Sequence, residues 1–397
     1  MKIREVLITP LLVPYAQPYY WSQGVTLGAE VLLIEIRTES EFVGFGECLA
    51  TPTATGVQAF VEEAAKHITG ESIFDRERLM ATCYQSLFQF RGNCSAPRFG
   101  GQVLAGLEMA LWDLQGKVLN RPVYELLGGA QRAYVEYFGF IQGSEPEALA
   151  KDATAFVQRG HRTIYCKVGR GDELDFEIVR QVREAVGPDI RLRLDPNEAW
   201  DVLSARRMIN RLKVFNPEMI EQPCDHRSLS ALKQIKDSSP IPIAADQSVF
   251  NADDVLQVTQ MQAADLITLG LHETGGIGPL MKAADVAKKA GLNICLHGLY
   301  ETGITTCAAH HAGLAISNLD DANQYMNHLL TADVIASPSL TLSEAKLGPI
   351  DAPGLGFELD LDALRQAKAR HVEYFSAVNN APWWTHSSSR PHRRSLS

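Results

Sequence analysis

The stretch Arg191-Leu192-Arg193-Leu194-Asp195-Pro196-Asn197 decides the fold, because a β-prone run ends there in a carboxylate. The same arrangement recurs twice downstream, where Glu221 follows Met219-Ile220 and Asp246 follows Ile243-Ala244-Ala245. The three carboxylates stand 26 and 25 residues apart, which is about the length of one strand–helix unit. The spacing therefore predicts parallel strands whose carboxyl ends carry acidic side chains.

Short β-prone runs alternate with helical segments through most of the chain. The predicted strands are Val135–Ile141, Thr163–Val168, Ile190–Leu194, Met219–Ile220, Ile243–Ala245, Leu266–Leu269, Asn293–Leu296 and Asn323–Met326. Alternating units indicate a parallel sheet, and about eight of them in under 230 residues favour a barrel over an open sheet. We predict an α/β fold with a (β/α)8, TIM-like barrel over residues 131–347.

Residues 1–130 show a different pattern, with strands first and helices afterwards. This order predicts a small α+β domain, and the resemblance given below implies that it is a capping domain over the barrel. The aromatic stretch 19–24 is interpreted as a loop between the first two strands. We expect residues 348–380 to return to this domain, and residues 381–397, which are rich in serine and arginine, to form a disordered tail.

Composition excludes several classes of protein. The 397 residues carry a formal net charge of −10, which is unfavourable for binding nucleic acid. No apolar run reaches the roughly 20 residues that span a bilayer, and the N-terminus does not resemble a signal peptide. The seven cysteines are scattered and form no C-x-x-C pair, which indicates a reducing compartment. We expect a cytoplasmic protein without nucleic-acid or membrane partners.

The three carboxylates predict a metal site. Acidic groups that converge on one barrel mouth repel one another, and a hard divalent cation relieves that repulsion. Any one of these acids alone would more often be a solvated loop residue. All three at successive strand ends indicate an oxygen-only site, which favours Mg²⁺ over zinc.

The same spacing extends to further positions. It reaches Lys167 at the second predicted strand, Gly270 at the sixth, His297 at the seventh and Asn323 at the eighth. Lys167 and His297 are therefore predicted to flank the metal from opposite sides.

Five short motifs carry a family resemblance when they are taken in this order and spacing. They are Ala110-Leu111-Trp112-Asp113-Leu114, Asp195-Pro196-Asn197, Glu221-Gln222-Pro223, Ala245-Asp246-Gln247-Ser248 and Gly275-Gly276-Ile277. Over nearly its whole length the chain resembles the mandelate racemase and muconate-lactonising branch of the enolase superfamily. The resemblance implies Mg²⁺, with Mn²⁺ as a substitute, held by Asp195, Glu221 and Asp246. It also implies a small carboxylate substrate, an enediolate formed by removal of the α-proton, and a homo-oligomer.

Two positions depart from the family pattern. The usual Lys-x-Lys of the second strand is Tyr165-Cys166-Lys167, and the sixth-strand Lys, or the Asp that pairs with the seventh-strand His, is Gly270. The resemblance then implies Lys167 as base, His297 as acid and Tyr165 as a hydrogen-bond donor to the substrate carboxylate. To act as a base, Lys167 needs a pKa of about 7–8, which is below the ordinary value of a lysine. Burial and the metal would lower it. The predicted substrate-binding residues are Asn197, Tyr20, Trp21 and Asn323, the last interchangeable with its neighbour Gln324.

Three functions remain open. The preferred hypothesis is a lyase that dehydrates a hydroxy acid or sugar acid, in which Lys167 removes the α-proton and His297 protonates the leaving hydroxyl. The alternative is an isomerase, which would be a racemase, an epimerase or a lactone cycloisomerase. A barrel that has lost its chemistry with Gly270 is the third. The aromatic residues 19–21 suit an apolar or ring-bearing substrate better than a polyol.

Overall fold

The computed structural model of the chain describes residues 1–22, 24–90, 96–376 and the backbone of 384–386. The strands are β1 (Ile3–Trp21), β2 (Gly24–Thr38), β3 (Val43–Leu49), β4 (Val135–Glu136), β5 (Gly139–Phe140), β6 (Thr163–Lys167), β7 (Arg191–Asp195), β8 (Met219–Glu221), β9 (Ile243–Ala245), β10 (Leu266–Gly270), β11 (Ile294–His297), β12 (Ile335–Ser337), β13 (Lys346–Leu347), β14 (Glu358–Leu359) and β15 (Trp384–His386).

The helices alternate with the strands from residue 146 to residue 315. They are α1 (Ala54–Ile68), α2 (Arg76–Tyr84), α3 (Pro97–Leu119), α4 (Val123–Leu126), α5 (Pro146–Gln158), α6 (Asp172–Val186), α7 (Val202–Leu212), α8 (Leu229–Ser238), α9 (Ala252–Met261), α10 (Leu271–Thr274), α11 (Ile277–Lys289), α12 (Gly303–Ala315) and α13 (Leu361–Ser376). Within the described ranges, none of them combines the length and the apolar character needed to cross a membrane.

The N-terminal sheet is built on β2, which pairs antiparallel with β1, β3 and β15. The aromatic residues at 19–21 lie in β1 and pair with Gly24–Thr26, so the prediction of a loop there was wrong, with Gln23 outside the described residues. The expected disordered tail is likewise wrong at 384–386, which form β15. The rest of 381–397 lies outside the described residues.

Helix α3 packs directly on β3 because glycines remove the side chains between them. A Cβ on Gly46 would lie 2.0 Å from the carbonyl oxygen of Gly106, and a Cβ on Gly44 would lie 2.2 Å from that of Ala110. These distances leave room for hydrogen atoms only. The helix is buried from Gly100 to Gly116 and forms the centre of the N-terminal domain.

The second sheet is parallel, in the order β11-β10-β9-β8-β7-β6-β5, which gives seven regular strands in the described chain. The predicted eighth strand near Asn323–Met326 is not a regular strand. Isolated bridges join Asn323 to Tyr137 and Leu319 to Ile294. Backbone hydrogen bonds join this segment to both neighbours, from Phe138 N to Asn323 O and from Gln324 N to Leu296 O, each at 2.9 Å. The Asn323 side chain adds one bond to each neighbour, from Leu296 N at 2.8 Å and to Glu136 O at 3.1 Å.

Asp113 joins the N-terminal domain to the C-terminal segment that packs back on it. Its side chain is 1% exposed, accepts hydrogen bonds from Phe45 N at 2.9 Å and Leu355 N at 2.8 Å, and pairs with Lys117 at 2.6 Å. Helix α13 then packs along β1. The segment around Leu355 is thus held on the N-terminal domain by a buried carboxylate.

Replacing Asp113 by Ala should lower the free energy of unfolding by about 3 kcal/mol, because two backbone N–H groups and a cation lose their buried partner. Urea unfolding at neutral pH measures this change. The matched control is Glu125→Ala, which breaks an exposed ion pair with Arg121 and should cost no more than about 0.5 kcal/mol. Equal effects of the two substitutions would contradict the assignment.

Candidate functional site

A cavity of about 170 Å³ opens at the carboxyl ends of the parallel strands. Its floor includes Tyr165, Lys167, Glu221, Asp246 and His297, and its rim includes residues of the N-terminal domain, among them Trp21, Leu49, Thr51, Arg98 and Gln102. The strand register places Lys167 beside Asp195 and Gly270 beside His297. Residues that are one strand–helix unit apart in the sequence therefore lie along the same edge of the sheet.

The three predicted metal ligands are buried together. Asp195, Glu221 and Asp246 are 0%, 3% and 4% exposed. The Tyr165 hydroxyl lies 2.6 Å from Asp195 Oδ2 and 2.7 Å from Glu221 Oε1, but its single hydrogen can serve one of them at a time. Burial, together with repulsion from the other two carboxylates, raises the pKa of Glu221. This excess of buried oxygen charge fits a hard divalent cation.

Lys167 lies at one end of this row of carboxylates. Its ammonium donates hydrogen bonds to Asp195 Oδ2 at 2.5 Å and to Asn197 Oδ1 at 2.8 Å. Burial is the largest single effect and disfavours the charged form, but Asp195, Tyr19 and Glu221 together outweigh it and raise the pKa of Lys167 above its ordinary value. The lowered pKa predicted from the sequence depends on the charge of a bound metal as well as on burial, so it stays a prediction for the metal-loaded site.

His297 lies at the other end of the row. Its Nδ1 is 2.8 Å from Asp246 Oδ1, and its Nε2 is 3.2 Å from Glu273 Oε2. Burial disfavours the imidazolium, but the two carboxylates outweigh it and raise the pKa of His297 to about 10. The sequence analysis missed Glu273. The available signal was its place as the first carboxylate after Gly270, one short turn beyond the end of β10.

Among the described side chains, two groups bring three ligand-capable atoms within 4.8 Å of one another, and the trio Asp195, Glu221 and Asp246 is not one of them. The two groups are Asp246, Glu273 and His297, and Glu198, Asp225 and His226. In the first group Asp246 and Glu273 raise the pKa of His297, which favours the protonated imidazole. A protonated imidazole cannot ligate a metal. The second group pairs a histidine that is 40% exposed with Glu198. Charge and burial therefore favour the three strand-end carboxylates.

Tyr165 lines the cavity beside the predicted metal ligands. Its hydroxyl is engaged by Asp195 and Glu221, and its ring stacks on Phe138 at a centroid distance of 4.6 Å. Burial, followed by the two carboxylates, raises its pKa well above the ordinary value, so the phenol stays neutral and acts as a donor. The hydroxyl thus contacts two of the predicted metal ligands, and its bond to a substrate carboxylate stays a prediction.

The predicted substrate-binding residues divide into two groups. Trp21 and Asn197 line the cavity, whereas Tyr20 and Asn323 are not among its lining residues. Alternate residues of a strand face opposite sides, so Tyr20 points away from the side shared by Tyr19 and Trp21. Asn323 is fully buried and uses its amide on backbone groups, so this prediction was wrong, and its neighbour Gln324 lines the cavity instead.

Other histidines near the sheet serve packing. His310 contacts the Tyr137 hydroxyl at 2.8 Å, and His311 accepts a hydrogen bond from Tyr124 N at 3.2 Å. His272 is 2% exposed, and burial lowers its pKa to about 3. Burial lowers the pKa of all three rings, and these contacts indicate a role in packing.

Mn²⁺ binding should identify the metal group. Glu221→Gln should weaken binding of Mn²⁺ by at least about tenfold and abolish the rise in Tm that Mg²⁺ gives the parent protein, since a ligand that binds only the folded state stabilises it. His226→Asn is the matched control and should change neither quantity. Electron paramagnetic resonance and thermal unfolding give the two measurements. Loss of binding in the His226 variant alone would transfer the site to the Glu198 group.

Trp21→Ala should raise KM by about tenfold or change substrate preference, because an aromatic wall of the cavity is removed, while Tm changes little. The matched control, Tyr20→Ala, removes the neighbouring ring from the opposite face of the same strand and should leave KM within about twofold. Steady-state kinetics on a common substrate compares them. A larger effect from Tyr20 would contradict the orientation described above.

Two family models match the chain. One, described as the mandelate racemase / muconate lactonizing enzyme N-terminal domain, covers residues 3–128, and the other, described as enolase C-terminal domain-like, covers residues 148–363. A hydrophobic dipeptide epimerase of Enterococcus faecalis is 32% identical over 368 residues, which are 90% of this chain and 99% of that protein. An arabinonate dehydratase of Saccharolobus solfataricus is 26% identical over 340 residues, which are 83% and 88% of the two chains.

A solved structure gives the same result. The dipeptide epimerase of Enterococcus faecalis V583, complexed with Mg and the dipeptide L-Leu-L-Tyr, superposes with a TM-score of 0.83 at 30% identity and covers 90% of this chain and 100% of its own. The matches span both domains and include the strand-end residues described above. The chain belongs to the mandelate racemase and muconate-lactonising branch of the enolase superfamily and is an enzyme.

Proposed function

We propose that the enzyme is a Mg²⁺-dependent isomerase, a racemase or epimerase, that removes the α-proton of a carboxylate substrate on one face and returns a proton on the other. One observation carries this proposal. Lys167 and His297 lie at the two ends of the row of three carboxylates, each in contact with a different member of it. A substrate carboxylate bound at the centre of the row would present its α-carbon between them.

Asp195, Glu221 and Asp246 would hold the Mg²⁺. When bound, the ion supplies positive charge that stabilises the charge developing on the substrate carboxylate as the proton leaves. The α-proton of a carboxylate is very weakly acidic, so a positioned base alone would not suffice. The residues of the chain supply orientation, exclusion of water under Trp21, and the two proton-transfer groups.

Lys167 must lose a proton before it can act as a base. Its ammonium is stabilised chiefly by Asp195, which competes against burial. When the charge of Asp195 is shared with another cation, this attraction weakens, and burial then favours the neutral amine. His297 is protonated and can act as the opposing acid.

The dehydration that the sequence favoured is less well supported than isomerisation. The hydrophobic dipeptide epimerase and its Mg-bound counterpart are more similar to this chain than the arabinonate dehydratase is. Glu273 also gives His297 an acidic neighbour in place of the sixth-strand Asp of the family pattern, which is Gly270 here. Dehydration remains the second candidate, because a protonated His297 could equally protonate a leaving β-hydroxyl. Lactone cycloisomerisation would use the same base.

Incubation in deuterium oxide with a panel of N-acyl amino acids, dipeptides and aromatic hydroxy acids tests the proposal. Lys167→Ala should stop exchange of the α-proton of one enantiomer and His297→Asn that of the other, and each should slow racemisation by about 10²- to 10⁴-fold. Proton NMR and chiral chromatography record both events. Loss of water from a β-hydroxy substrate would instead establish the dehydratase, and absence of exchange with every carboxylate would refute both.

A further inference from the structure

The carboxylate of Glu273 fills the space that a side chain at the end of the sixth parallel strand would occupy. A Cβ built on Gly270 would lie 2.5 Å from Glu273 Oε2 and 3.3 Å from His297 Nε2. Gly270 has φ −95° and ψ 136°, which any residue adopts, so its backbone does not require glycine. What requires glycine at this position is the presence of the Glu273 carboxylate.

Glu273 is held in place by the N-terminal domain. Its Oε1 pairs with Arg98 Nη2 at 2.5 Å, and the side chain is 2% exposed. Helix α3, which carries Arg98, touches the backbone of α10, since a Cβ on Gly101 would lie 2.3 Å from the carbonyl oxygen of Glu273. The carboxylate therefore has its position fixed by two elements, one from each domain.

The His297 ring has a carboxylate at each nitrogen. Asp246 forms a hydrogen bond with Nδ1 at 2.8 Å, whereas Glu273 lies 3.2 Å from Nε2 as a charge contact without a hydrogen bond, so Glu273 can act on the ring through its charge. Without Glu273, Nε2 would lack the nearest charged group and the ring could rotate about its bond to Cβ. An acid–base group misplaced by about 1 Å can lose about 10²-fold in rate.

We propose that Glu273, anchored by Arg98, is a positioning residue for His297 and performs from α10 the function that a sixth-strand side chain performs in the related enzymes. This inference rests on the proposed function only in naming proton transfer as the task of His297. Glu273 is not among the residues that line the cavity, so its effect is exerted through His297. The seating of the N-terminal domain on α10 then bears directly on the orientation of the acid–base group.

The kinetic test uses Glu273→Gln, which keeps the shape of the side chain and removes its charge. We expect kcat for the direction that depends on His297 to fall about 100-fold while KM changes less than about twofold. Exchange at the Lys167 face should change less than about twofold. The matched control is Glu77→Gln, which removes another ion pair between the domains. Glu77 pairs with Lys282 at 3.1 Å, and both side chains are exposed, so this change should not affect the His297 ring.

A rescue variant separates positioning from general loss of stability. Glu273→Ala combined with Gly270→Asp returns a carboxylate to the same space from the strand and should recover at least about tenfold of the loss in kcat. Gly270→Asp alone should destabilise the protein, because its Cβ would collide with Glu273. Failure of the double variant to recover activity, although it is folded by circular dichroism, would overturn the proposal.

A second measurement does not require turnover. In protein labelled with ¹⁵N-histidine, the ring signals of His297, assigned with His297→Asn, should shift in Glu273→Gln, return in the double variant and stay unchanged in Glu77→Gln. If wild type exchanges no α-proton but these shifts occur, the proposed function fails and the positioning role stands. If exchange is intact in Glu273→Gln and the His297 signals are unmoved, the positioning role is wrong and the proposed function stands.

Discussion

The burial of three carboxylates at adjacent strand ends is the constraint on which the site depends. Moving like charges out of water is unfavourable unless other groups compensate them. Lys167 contacts the first carboxylate, His297 contacts the third, and Tyr165 lies between the first and the second. The side chains that could transfer protons, Lys167 and His297, are thus also the ones that compensate the buried carboxylates. A change in one of these groups therefore alters the protonation of the others.

The N-terminal domain shapes this site by satisfying backbone groups of the other domain. Glu108 accepts hydrogen bonds from Ile277 N at 2.8 Å and Gly278 N at 3.0 Å, at the start of α11. Glu47 accepts from Thr302 N at 3.0 Å, at the start of α12. The first turns of helices carry unpaired N–H groups and favour negative charge, so both acids are suited to these places. Side chains of the N-terminal domain therefore hold the loops that follow β10 and β11, just as Arg98 holds Glu273.

The sequence predicted those parts of the site that depend on spacing along parallel strands. Asp195, Glu221 and Asp246 lie together because one strand–helix unit separates each from the next, and Lys167 and His297 follow from the same rule. Glu273 could not be predicted in this way, because it lies in α10, where the turn geometry decides the direction of each side chain. Tyr20 was assigned to the pocket because a loop was assumed. In a strand, a single residue step reverses the face. Asn323 stands at the expected position, but a buried amide can bind backbone as readily as substrate.

For the proposed substrate with one carboxylate, the balance of charge favours a neutral side chain at Tyr165. In the contact network of described side chains, four carboxylates (Asp195, Glu221, Asp246 and Glu273) face three cations (Lys167, His297 and Arg98). One negative charge is in excess, which a divalent cation would convert to one positive charge. While Lys167 still carries its proton, a single substrate carboxylate would bring the buried site to neutrality, the least costly state in a medium of low dielectric constant. A lysine at position 165 would leave a further positive charge, whereas the neutral Tyr165 supplies a hydrogen-bond donor without it.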